Sequence, residues 1–314
     1  MKIDREELNR RIALSLDDKI QWAKEVIIEY YVQFNREVYV SFSGGKDSEV
    51  LLHIARGLFP SIPAVFCDTG LEYPEIRAHV KKFQNVVWMK PKMKFPDVVR
   101  NIGVAVGSKR IAMMIRRLRG YIDNPSEKNE ATKNLYLTGV KKEGTKNTNS
   151  KLPERFKSLL NAPFKTSDKC CDIFKKEPFL RYEKETKRKP IMGTCVGESD
   201  QRLISYLKTG CNSFEKGKEA SRPLSIWTSK DVWEYAWRHN LRFAEVYYDR
   251  QIGDIVIDAE PRTGCMFCLF GIHLESKMKM NRFERMKITH PRQYKFCIED
   301  IGLGKVLDFI NVKY

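Results

Sequence analysis

The sequence predicts an α/β protein in which a doubly wound parallel sheet carries helices on both faces. Two observations lead to this prediction. Short apolar runs with strand character recur in the N-terminal third, and segments with helical periodicity separate them. Such alternation is typical of parallel sheets. The expected strands are 37–42, 64–67, 86–89 and 190–193, and the expected helices are 4–35, 48–57, 74–83 and 229–239.

Changes in composition along the chain predict three segments. Residues 1–35 are expected to be helical, and residues 36–240 are expected to form the α/β domain. A basic helical insertion at about 105–189 interrupts this domain, and a short strand is expected within it at Leu135–Leu137. Residues 241–314 are expected to form a C-terminal subdomain that contains cysteines and basic helices.

The chain is strongly basic. Its 314 residues include 57 Lys and Arg against 40 Asp and Glu, which gives a formal net charge of +17. A surplus of this size suits a polyanionic partner such as RNA or DNA, although a merely basic surface is an equal alternative. The sequence shows neither an apolar run of transmembrane length nor a signal peptide. We therefore expect a cytoplasmic protein that has no membrane partner.

A glycine-rich turn between the first strand and its helix is the most informative motif. It consists of Ser43, Gly44, Gly45, Lys46, Asp47 and Ser48. Strand, glycine turn and helix is the layout that wraps backbone N–H groups around a phosphate. The glycines permit close approach of the phosphate, the serines add hydroxyl donors, and Lys46 adds a positive charge. Asp47 is expected either to orient a metal ion or to cap the helix.

A second polar turn, Asp68-Thr69-Gly70, follows the second strand. Ligands of parallel sheets bind beyond the carboxyl ends of the strands. Asp68 is therefore expected to contact a nucleotide hydroxyl or to help hold Mg²⁺. The alternative for Asp68 is a role as the N-cap of the following helix.

The motif from Ser43 to Ser48 resembles the PP-loop of the ATP pyrophosphatases, and sulfonucleotide reductases have a related loop. The resemblance implies the adenine nucleotide alpha-hydrolase-like fold, with ATP or a sulfonucleotide as the ligand and Mg²⁺ as a cofactor. It also implies that Lys46 and Asp47 are catalytic, and that Lys46 neutralises phosphate charge in the transition state. Thr69 and Gly70 are then expected to join Asp68 in the nucleotide site.

Four of the eight cysteines form two close pairs. Cys170 and Cys171 are adjacent, and Cys265 and Cys268 form a C-x-x-C pair. In a cytoplasmic protein such cysteines indicate a metal, a cluster or redox chemistry rather than disulfides. Four thiolates suit either a [4Fe–4S] cluster or a zinc ion. Zinc sites usually draw both pairs from C-x₂₋₄-C knuckles, so the adjacent pair is unusual for a zinc site.

Residues 169–179 resemble the tandem-cysteine motif of the iron–sulfur adenylylsulfate reductases, in which a C-x-x-C pair follows downstream. The chain is thus identified as a member of the phosphoadenosine phosphosulfate (PAPS) and adenylylsulfate (APS) reductase family of the PP-loop superfamily. The resemblance runs from about residue 35 to 270. It implies a [4Fe–4S] cluster on the four paired cysteines. It also implies four more nucleotide-binding residues: Gly193, Glu198, Ser199 and Arg202.

The chain departs from this family at two cysteine positions. Cys195 stands where the family's Gly-x-Arg-x-x-Glu-Ser motif has its arginine. The family's catalytic cysteine lies in a Glu-Cys-Gly segment, and no Glu-Cys-Gly occurs in these 314 residues. The last cysteine, Cys297, precedes an apolar periodic segment, so we expect it to lie in a packed helix.

The segment after the C-x-x-C pair is rich in basic residues, which would form a phosphate-tracking surface or else a solvated basic helix. They are Lys277, Lys279, Arg282, Arg285, Lys287 and Arg292.

Three functional hypotheses follow from these patterns. The first is an ATP pyrophosphatase that adenylates an acceptor, with tRNA or DNA favoured, for iron–sulfur-dependent sulfur transfer. The second is a sulfonucleotide reductase that releases sulfite from APS or PAPS. The third is a nucleic-acid-binding regulator without turnover. The intact loop with Lys46 and Asp47 argues against the third.

Overall fold

The computed structural model describes residues 3–314 and separates them into two compact units. The first unit contains the residues up to Pro91, Glu177–Arg250 and Asp258–Thr263. The second contains Lys92–Lys176, Gln251–Ile257 and Gly264–Tyr314. The domain boundaries expected at residues 35 and 240 stay predictions.

A six-stranded sheet forms the centre of the first unit. In chain order its strands are β1 (Val38–Ser41), β2 (Ala64–Cys67), β3 (Val86–Met89), β4 (Lys189–Met192), β5 (Asn212–Ser213) and β6 (Ala220–Ser221). Their order across the sheet is β3-β2-β1-β4-β6-β5, and all neighbours are parallel except β5 and β6. The predicted α/β fold with a mostly parallel sheet is confirmed.

The order of the strands reverses between β1 and β4. These strands pair in parallel from Val38 opposite Lys189 to Ser41 opposite Met192. In parallel α/β sheets a reversal of this kind opens a crevice at the carboxyl ends of the strands, where ligands bind. The glycine-rich turn follows β1 and Gly193 follows β4, so both lie at this end of the sheet.

Seven helices accompany the sheet in the described part of the first unit. They are α1 (Arg5–Ile12), α2 (Leu16–Gln33), α3 (Lys46–Leu58), α4 (Pro74–Val80), α5 (Glu177–Thr186), α6 (Asp200–Thr209) and α7 (Ser229–Arg238). The single helix expected at 4–35 is therefore two helices. The break has a local cause, because the Ser15 side chain accepts a hydrogen bond from the Asp18 N–H at 3.1 Å and caps α2.

The two central strands are buried on both faces. Val38, Tyr39 and Val40 of β1 are each at most 1% exposed. Val65 and Phe66 of β2 are equally buried. Strands that read as continuous apolar runs are typical of parallel sheets covered on both sides. This burial holds the carboxyl end of β1, and with it the following turn, in a fixed position.

The second unit is mainly helical. Its longest helices are Lys109–Asp123 and Glu127–Thr138. The strand expected at Leu135–Leu137 is wrong, since these residues form the last turn of the second helix. That helix ends at Gly139, whose φ of +79° gives a left-handed cap. A short apolar run has no periodicity of its own and cannot distinguish helix from strand.

A short extended segment in the second unit pairs with chain on both sides. Val104 bridges in parallel to Thr166, and Val106–Gly107 pairs in parallel with Leu269–Phe270. Thr166 lies shortly before the adjacent cysteines, and Leu269 directly follows Cys268. The segment therefore brings the two cysteine pairs towards each other within the second unit.

The C-terminal part of the second unit is helical, with helices at Arg282–Thr289, Pro291–Lys295 and Leu303–Phe309. A π-helical turn, Phe296–Asp300, carries Cys297, which is fully buried. The expectation of a packed cysteine at this position is confirmed. Among residues 3–314, no helix combines the length and apolarity that crossing a bilayer requires.

Candidate nucleotide and thiol sites

The glycine-rich turn leads directly into the first turn of α3. Gly45 is the N-cap residue, with φ −84° and ψ 155°, and the helix begins at Lys46. Asp47 therefore lies inside the helix, and its alternative role as the cap is excluded. Amide N–H groups in the first turn of a helix have no carbonyl partner within the helix. With the helix dipole they form an anion-binding end at the carboxyl edge of the sheet.

Two glycines are required by the packing of this turn. Gly44 has φ +71°, and a Cβ atom there would lie 2.6 Å from Val80 Cγ2 and 2.8 Å from Ile76 Cγ2. A Cβ atom on Gly45 would lie 2.9 Å from the Tyr247 hydroxyl oxygen. All three distances are shorter than real Cβ contacts, so neither position accepts a larger residue without a shift of its neighbours.

The two serine hydroxyls hold the turn in shape. Ser48 Oγ donates to the Gly45 carbonyl oxygen at 2.8 Å, and the two serine Oγ atoms lie 3.0 Å apart. Because the Ser48 proton is used, Ser43 is the donor in the contact between them. Ser43 Oγ also accepts from the Gly45 N–H at 3.3 Å. Direct contact of these hydroxyls with a phosphate stays a prediction.

Lys46 and Asp47 form an ion pair within the turn. Lys46 Nζ lies 2.9 Å from Asp47 Oδ1, and the lysine side chain is only 8% exposed. A positive charge held in so little water interacts strongly with an anion placed beside it. The arrangement brings the two predicted catalytic residues together.

Two hydroxyl residues that no sequence motif indicated, Tyr247 and Thr263, also reach this turn. Tyr247 Oη lies 3.4 Å from the Lys46 backbone nitrogen, which donates to it, and 2.6 Å from Thr263 Oγ1. Tyr247 is buried, and burial raises the pKa of its hydroxyl. Tyr247 lies about two hundred residues from the turn and in no recognisable motif, so only the fold reveals this contact.

The polar turn after β2 is organised around Asp68. This buried carboxylate accepts from Arg77 at 2.8 Å and from the Gly70 N–H at 3.2 Å. Thr69 is held in turn by Glu72, to whose carboxylate its hydroxyl donates at 2.6 Å. Asp68 does not cap α4, whose N-cap is Tyr73. Each carboxylate oxygen of Asp68 has a second lone pair with which it can accept from a ligand hydroxyl.

The residues after β4 form a small charged network. Glu198 accepts from the Cys195 N–H at 3.2 Å and forms ion pairs with Arg202 and, at 3.0 Å, with Arg262. Ser199 caps α6 by accepting from the Arg202 N–H. Arg262 is a further residue that the sequence did not indicate. Glu198 thus holds both guanidinium groups. Cys195, at the position of the family's arginine, contributes its backbone N–H to the same network.

Cys195 is buried near the charges of the glycine-rich turn. Burial raises the pKa of its thiol to about 12, and the Asp47 carboxylate adds to this effect. Lys46 and Arg202 partly oppose it. Because the thiolate is the nucleophilic form, a raised pKa disfavours nucleophilic attack by Cys195.

The four paired cysteines interact with one another in the second unit. The pKa of Cys170 is raised by its hydrogen bond with Cys171, by burial, and by the charges of Cys171, Cys268 and Cys265. The same hydrogen bond lowers the pKa of Cys171 to about 6. The predicted metal-binding set is therefore close enough for its thiols to influence one another's ionisation.

The C-x-x-C pair adopts a tight turn in which the Cys268 N–H donates to the Cys265 carbonyl at 3.1 Å. Burial raises the pKa of the Cys268 thiol, while a hydrogen bond from the Phe270 N–H lowers it. An N–H group directed at the sulfur favours the thiolate. Arg282 donates to the Cys268 carbonyl at 2.9 Å and steadies the same turn.

Positive charge surrounds the adjacent cysteines. Lys175 and Lys109 both favour the Cys171 thiolate. Lys109 also lies 3.3 Å from Asp172, which Lys176 contacts at 2.9 Å. Burial tends to raise the pKa of Asp172, but these lysines outweigh it and hold the pKa at about 2. This cationic environment favours negative charge on the Cys171 thiol.

The four cysteines are the donor set for the two predicted occupants, a zinc ion and a [4Fe–4S] cluster. Within residues 3–314, no group of three or more His, Cys, Asp and Glu side chains is arranged to hold a single metal ion. A [4Fe–4S] cluster instead takes one cysteine thiolate on each of four irons, so its ligands surround a larger object. Cysteine thiols are the donor type that such a cluster takes.

The basic segment after the C-x-x-C pair is only partly a surface. Arg282 pairs with Glu275, and the buried Arg285 donates to the Met280 carbonyl at 2.6 Å. These two arginines hold the local fold, and contact of the segment with phosphates stays a prediction. The exposed basic side chains of this segment are Lys277, Lys279, Lys287 and Arg292.

The chain matches one family model over most of its length. Residues 37–106 and 85–269 match the phosphoadenosine phosphosulfate reductase domain. An adenosine 5'-phosphosulfate reductase of Bacillus mycoides is 23% identical over 140 residues, which cover 42% of this chain and 58% of that protein. An uncharacterized protein of Methanocaldococcus jannaschii is 25% identical over 269 residues, which cover 84% of this chain and 41% of that protein. The chain thus spans about half the length of the curated relatives it matches.

Among solved structures, the phosphate complex of phosphoadenylyl-sulfate reductase from Candida auris aligns with 81% of this chain and 97% of its own. The sequence identity is 15% and the TM-score is 0.39. The family model covers well over half of the residues and includes the glycine-rich turn, the segment after β4 and the four paired cysteines. The chain belongs to the phosphoadenosine phosphosulfate reductase family of the PP-loop superfamily.

Proposed function

We propose that this protein is a PP-loop enzyme that uses ATP to adenylate an oxygen acceptor for sulfur transfer. The acceptor oxygen attacks the α-phosphorus of ATP, and the bond to the β-phosphate breaks with release of pyrophosphate. A sulfur nucleophile then attacks the activated carbon, and the C–O bond breaks with its electron pair leaving on AMP. Sulfur replaces oxygen on the acceptor, and no net oxidation or reduction is needed.

The first step is assigned to the loop. The amide N–H groups at the start of α3 and the sheltered Lys46 ammonium would stabilise the negative charge that develops on pyrophosphate. Asp47, paired with Lys46, would orient the lysine and Mg²⁺. Asp68, Thr69 and Gly70, together with Gly193, Glu198, Ser199 and Arg202, remain the proposed nucleotide contacts.

One observation carries the choice of ATP over a sulfonucleotide. Reduction of APS or PAPS requires a cysteine thiolate that attacks sulfur. Within residues 241–314, Cys297 is the cysteine that lies outside the proposed cluster set. Cys297 is fully buried, and burial raises the pKa of its thiol. A thiol in this setting is a poor nucleophile, so Cys297 does not provide the reductase chemistry.

We also propose that Cys170, Cys171, Cys265 and Cys268 hold a [4Fe–4S] cluster, with zinc as the alternative. Such a cluster would supply electron transfer or a binding place for sulfur. The lysines around Cys171 would balance the negative charge of the bound cluster and its thiolates.

The proposed acceptor is a nucleic acid, tRNA or DNA. The net charge of +17 and the exposed Lys277, Lys279 and Lys287 support this choice. Sulfonucleotide reduction is the second candidate function, and it is favoured by the adenosine 5'-phosphosulfate reductases among the relatives. A nucleic-acid-binding regulator on the same fold is the candidate from another class.

A product assay separates the three candidates. Anaerobic protein is incubated with ATP in the presence or absence of tRNA or DNA, and separately with APS or PAPS and a thiol reductant. Pyrophosphate release stimulated by nucleic acid supports the sulfur-transfer function. Sulfite release would instead support sulfonucleotide reduction. If the protein releases neither pyrophosphate nor sulfite, both enzymatic hypotheses are contradicted.

The variant Lys46→Ala identifies the loop as the source of turnover. We expect it to abolish product formation without unfolding the protein, because the lysine charge is lost while the turn's serine hydrogen bonds stay. Lys82→Ala, an exposed lysine of the same unit, is the matched control and should retain activity. Full turnover by Lys46→Ala would contradict the assignment of the loop.

A further inference from the structure

Tyr247 and Thr263 form a hydroxyl pair beside the phosphate-binding turn. Their oxygen atoms lie 2.6 Å apart, and the Tyr247 oxygen also accepts from the Lys46 backbone N–H at 3.4 Å. A Cβ atom on Gly45 would lie 2.9 Å from Tyr247 Oη and 3.2 Å from Thr263 Oγ1. The pair therefore lies against the backbone that a phosphate would approach.

The pair is positioned by the segment that carries Thr263. The Glu260 N–H donates to the Val246 carbonyl at 2.8 Å, and the Ala259 N–H donates to the Asp249 carboxylate at the same distance. These two bonds tie residues 258–263 to the chain on either side of Tyr247. The 2.6 Å contact between the hydroxyls is thus held by backbone on both sides.

A count of protons shows what the pair can offer. Each hydroxyl has one proton, and the contact between the two oxygens uses one of them, whichever residue donates. The Lys46 N–H contributes a proton of its own and uses none of theirs. One hydroxyl proton therefore remains, and it belongs to an oxygen atom that lies beside Gly45 and the start of α3.

We propose that Tyr247, oriented by Thr263, is an additional ligand for a phosphate or sulfate oxygen bound at this turn. The inference rests on the proposed nucleotide site and extends it to two residues outside the family's motifs quoted above. The 3.4 Å bond from Lys46 is longer than the usual range for N–H···O bonds and is therefore weak. A charged phosphate oxygen forms stronger bonds, so it would take over the amide while the hydroxyl pair donates to it.

The test compares ligands that do and do not carry the phosphates. Calorimetric titrations of the full chain use MgATP, APS and adenosine. We expect Tyr247→Phe to weaken binding of the phosphate-bearing ligand about tenfold or more, the usual range for a hydrogen bond to a charged group. Its affinity for adenosine should stay the same, because adenosine does not reach the turn. If Tyr247 served only in packing, Tyr247→Phe would weaken the binding of the phosphate-bearing ligand and of adenosine alike.

Variants of Thr263 test the orienting role. Thr263→Val removes the partner hydroxyl but leaves Tyr247 free to donate its own proton, so we expect a smaller loss, about threefold. Thr263→Ser keeps the hydroxyl and should restore the affinity of the unmodified protein. Tyr248→Phe is the matched control, because the Tyr248 hydroxyl accepts from the Phe243 N–H instead and lies outside the turn's contacts.

The outcomes separate this inference from the proposed function. Unchanged affinity of Tyr247→Phe for the phosphate-bearing ligand, or an equal loss for adenosine, would overturn the role of Tyr247 while leaving the loop assignment in place. Binding of APS without ATP, with a selective loss in Tyr247→Phe, would support the inference and contradict the ATP-dependent function. Failure of every phosphate-bearing ligand to bind would overturn both.

Discussion

Gly193 packs so closely against Asp47 that a Cβ atom at position 193 would stand 2.7 Å from the Asp47 carbonyl oxygen. It would also lie 3.0 Å from Ser48 Cα. The contact joins the chain after β4 to the first turn of α3. This contact explains why position 193, the first of the family's Gly-x-Arg-x-x-Glu-Ser motif, is glycine. Only a residue without a side chain allows the two backbones to approach so closely.

The first prediction concerns Gly193→Ala. The added methyl group must push the first turn of α3 away from β4, since its nearest neighbours are backbone atoms that cannot rotate aside. We expect a loss of about 1–3 kcal/mol in the free energy of unfolding. We also expect slower nucleotide turnover at temperatures where the variant is still folded. Calorimetry and the pyrophosphate assay measure the two effects. Gly197→Ala is the matched control, because no atom lies within 4 Å of its Cβ position.

The second prediction concerns the thiol set. Cys170→Ser should remove bound iron and the visible absorption of protein purified without oxygen, because one of the four thiolate ligands is lost. Iron and acid-labile sulfide analyses measure the change. Cys297→Ala, a buried cysteine of the same unit outside the set, should keep the full iron content. A colourless protein that contains zinc would replace the cluster with the alternative metal.

The third prediction concerns a buried ion pair between α2 and α7. Lys19 Nζ lies 2.7 Å from Asp231 Oδ2, and the lysine side chain is 2% exposed. Lys19→Met leaves Asp231 buried without its counter-charge, so we expect a loss of about 3 kcal/mol in unfolding free energy. Arg238→Met is the control, since its contact with Asp17 joins the same helices at the surface and should contribute at most about 1 kcal/mol. Equal effects of the two variants would contradict this account.

The fourth prediction concerns the pH dependence of stability. Burial tends to raise the pKa of Asp231, but hydrogen bonds from Lys19 and Thr228 outweigh it, and the pKa lies below its usual range. The folded state therefore binds this proton less readily than the unfolded state, in which aspartates titrate at about pH 4. The stabilisation is present above that pH and is lost as the pH falls through the folded-state value. Asp231→Asn should be less stable at pH 7 and lose less stability on acidification, measured as the melting temperature against pH.

The fifth prediction concerns the exposed lysines after the C-x-x-C pair. Replacing Lys277, Lys279 and Lys287 by Ala should weaken tRNA or DNA binding and reduce the salt dependence by roughly one unit per lost phosphate contact. Filter binding at several salt concentrations measures both. The control replaces Lys81, Lys82 and Lys216, which carry the same charge on the other unit. Identical salt slopes for the two triple variants would exclude this segment as the nucleic-acid surface.

Local patterns predicted the strands and the loop well. The alternation of apolar runs and helical segments predicted the sheet, because buried parallel strands need continuous apolar residues. The loop was recognised because strand, glycines and lysine are contiguous. The strand expected at Leu135–Leu137 was wrong, because a run of three apolar residues is too short to show whether its period is that of a helix or of a strand.

Contacts between distant parts of the chain could not be predicted in this way. Tyr247 and Arg262 reach the proposed nucleotide site only through the fold, and neither belongs to a contiguous motif. The intramolecular contacts of Arg282 and Arg285 were equally invisible, because composition does not show that a guanidinium is bonded to a carboxylate or a carbonyl of the same unit. The interaction of the thiols of Cys170 and Cys265 likewise depends on strand pairing that spans many residues.

The pairing of β1 with β4 joins segments that are separated in the chain by everything between Ser41 and Lys189. Such long-range contacts are costly in loop-closure entropy and tend to form late in folding. Gly193 can meet Asp47 only after this pairing is complete. Nucleotide binding should therefore appear late during refolding, after most of the helical signal has returned, and a bound nucleotide should protect the β1–β4 pairing against unfolding.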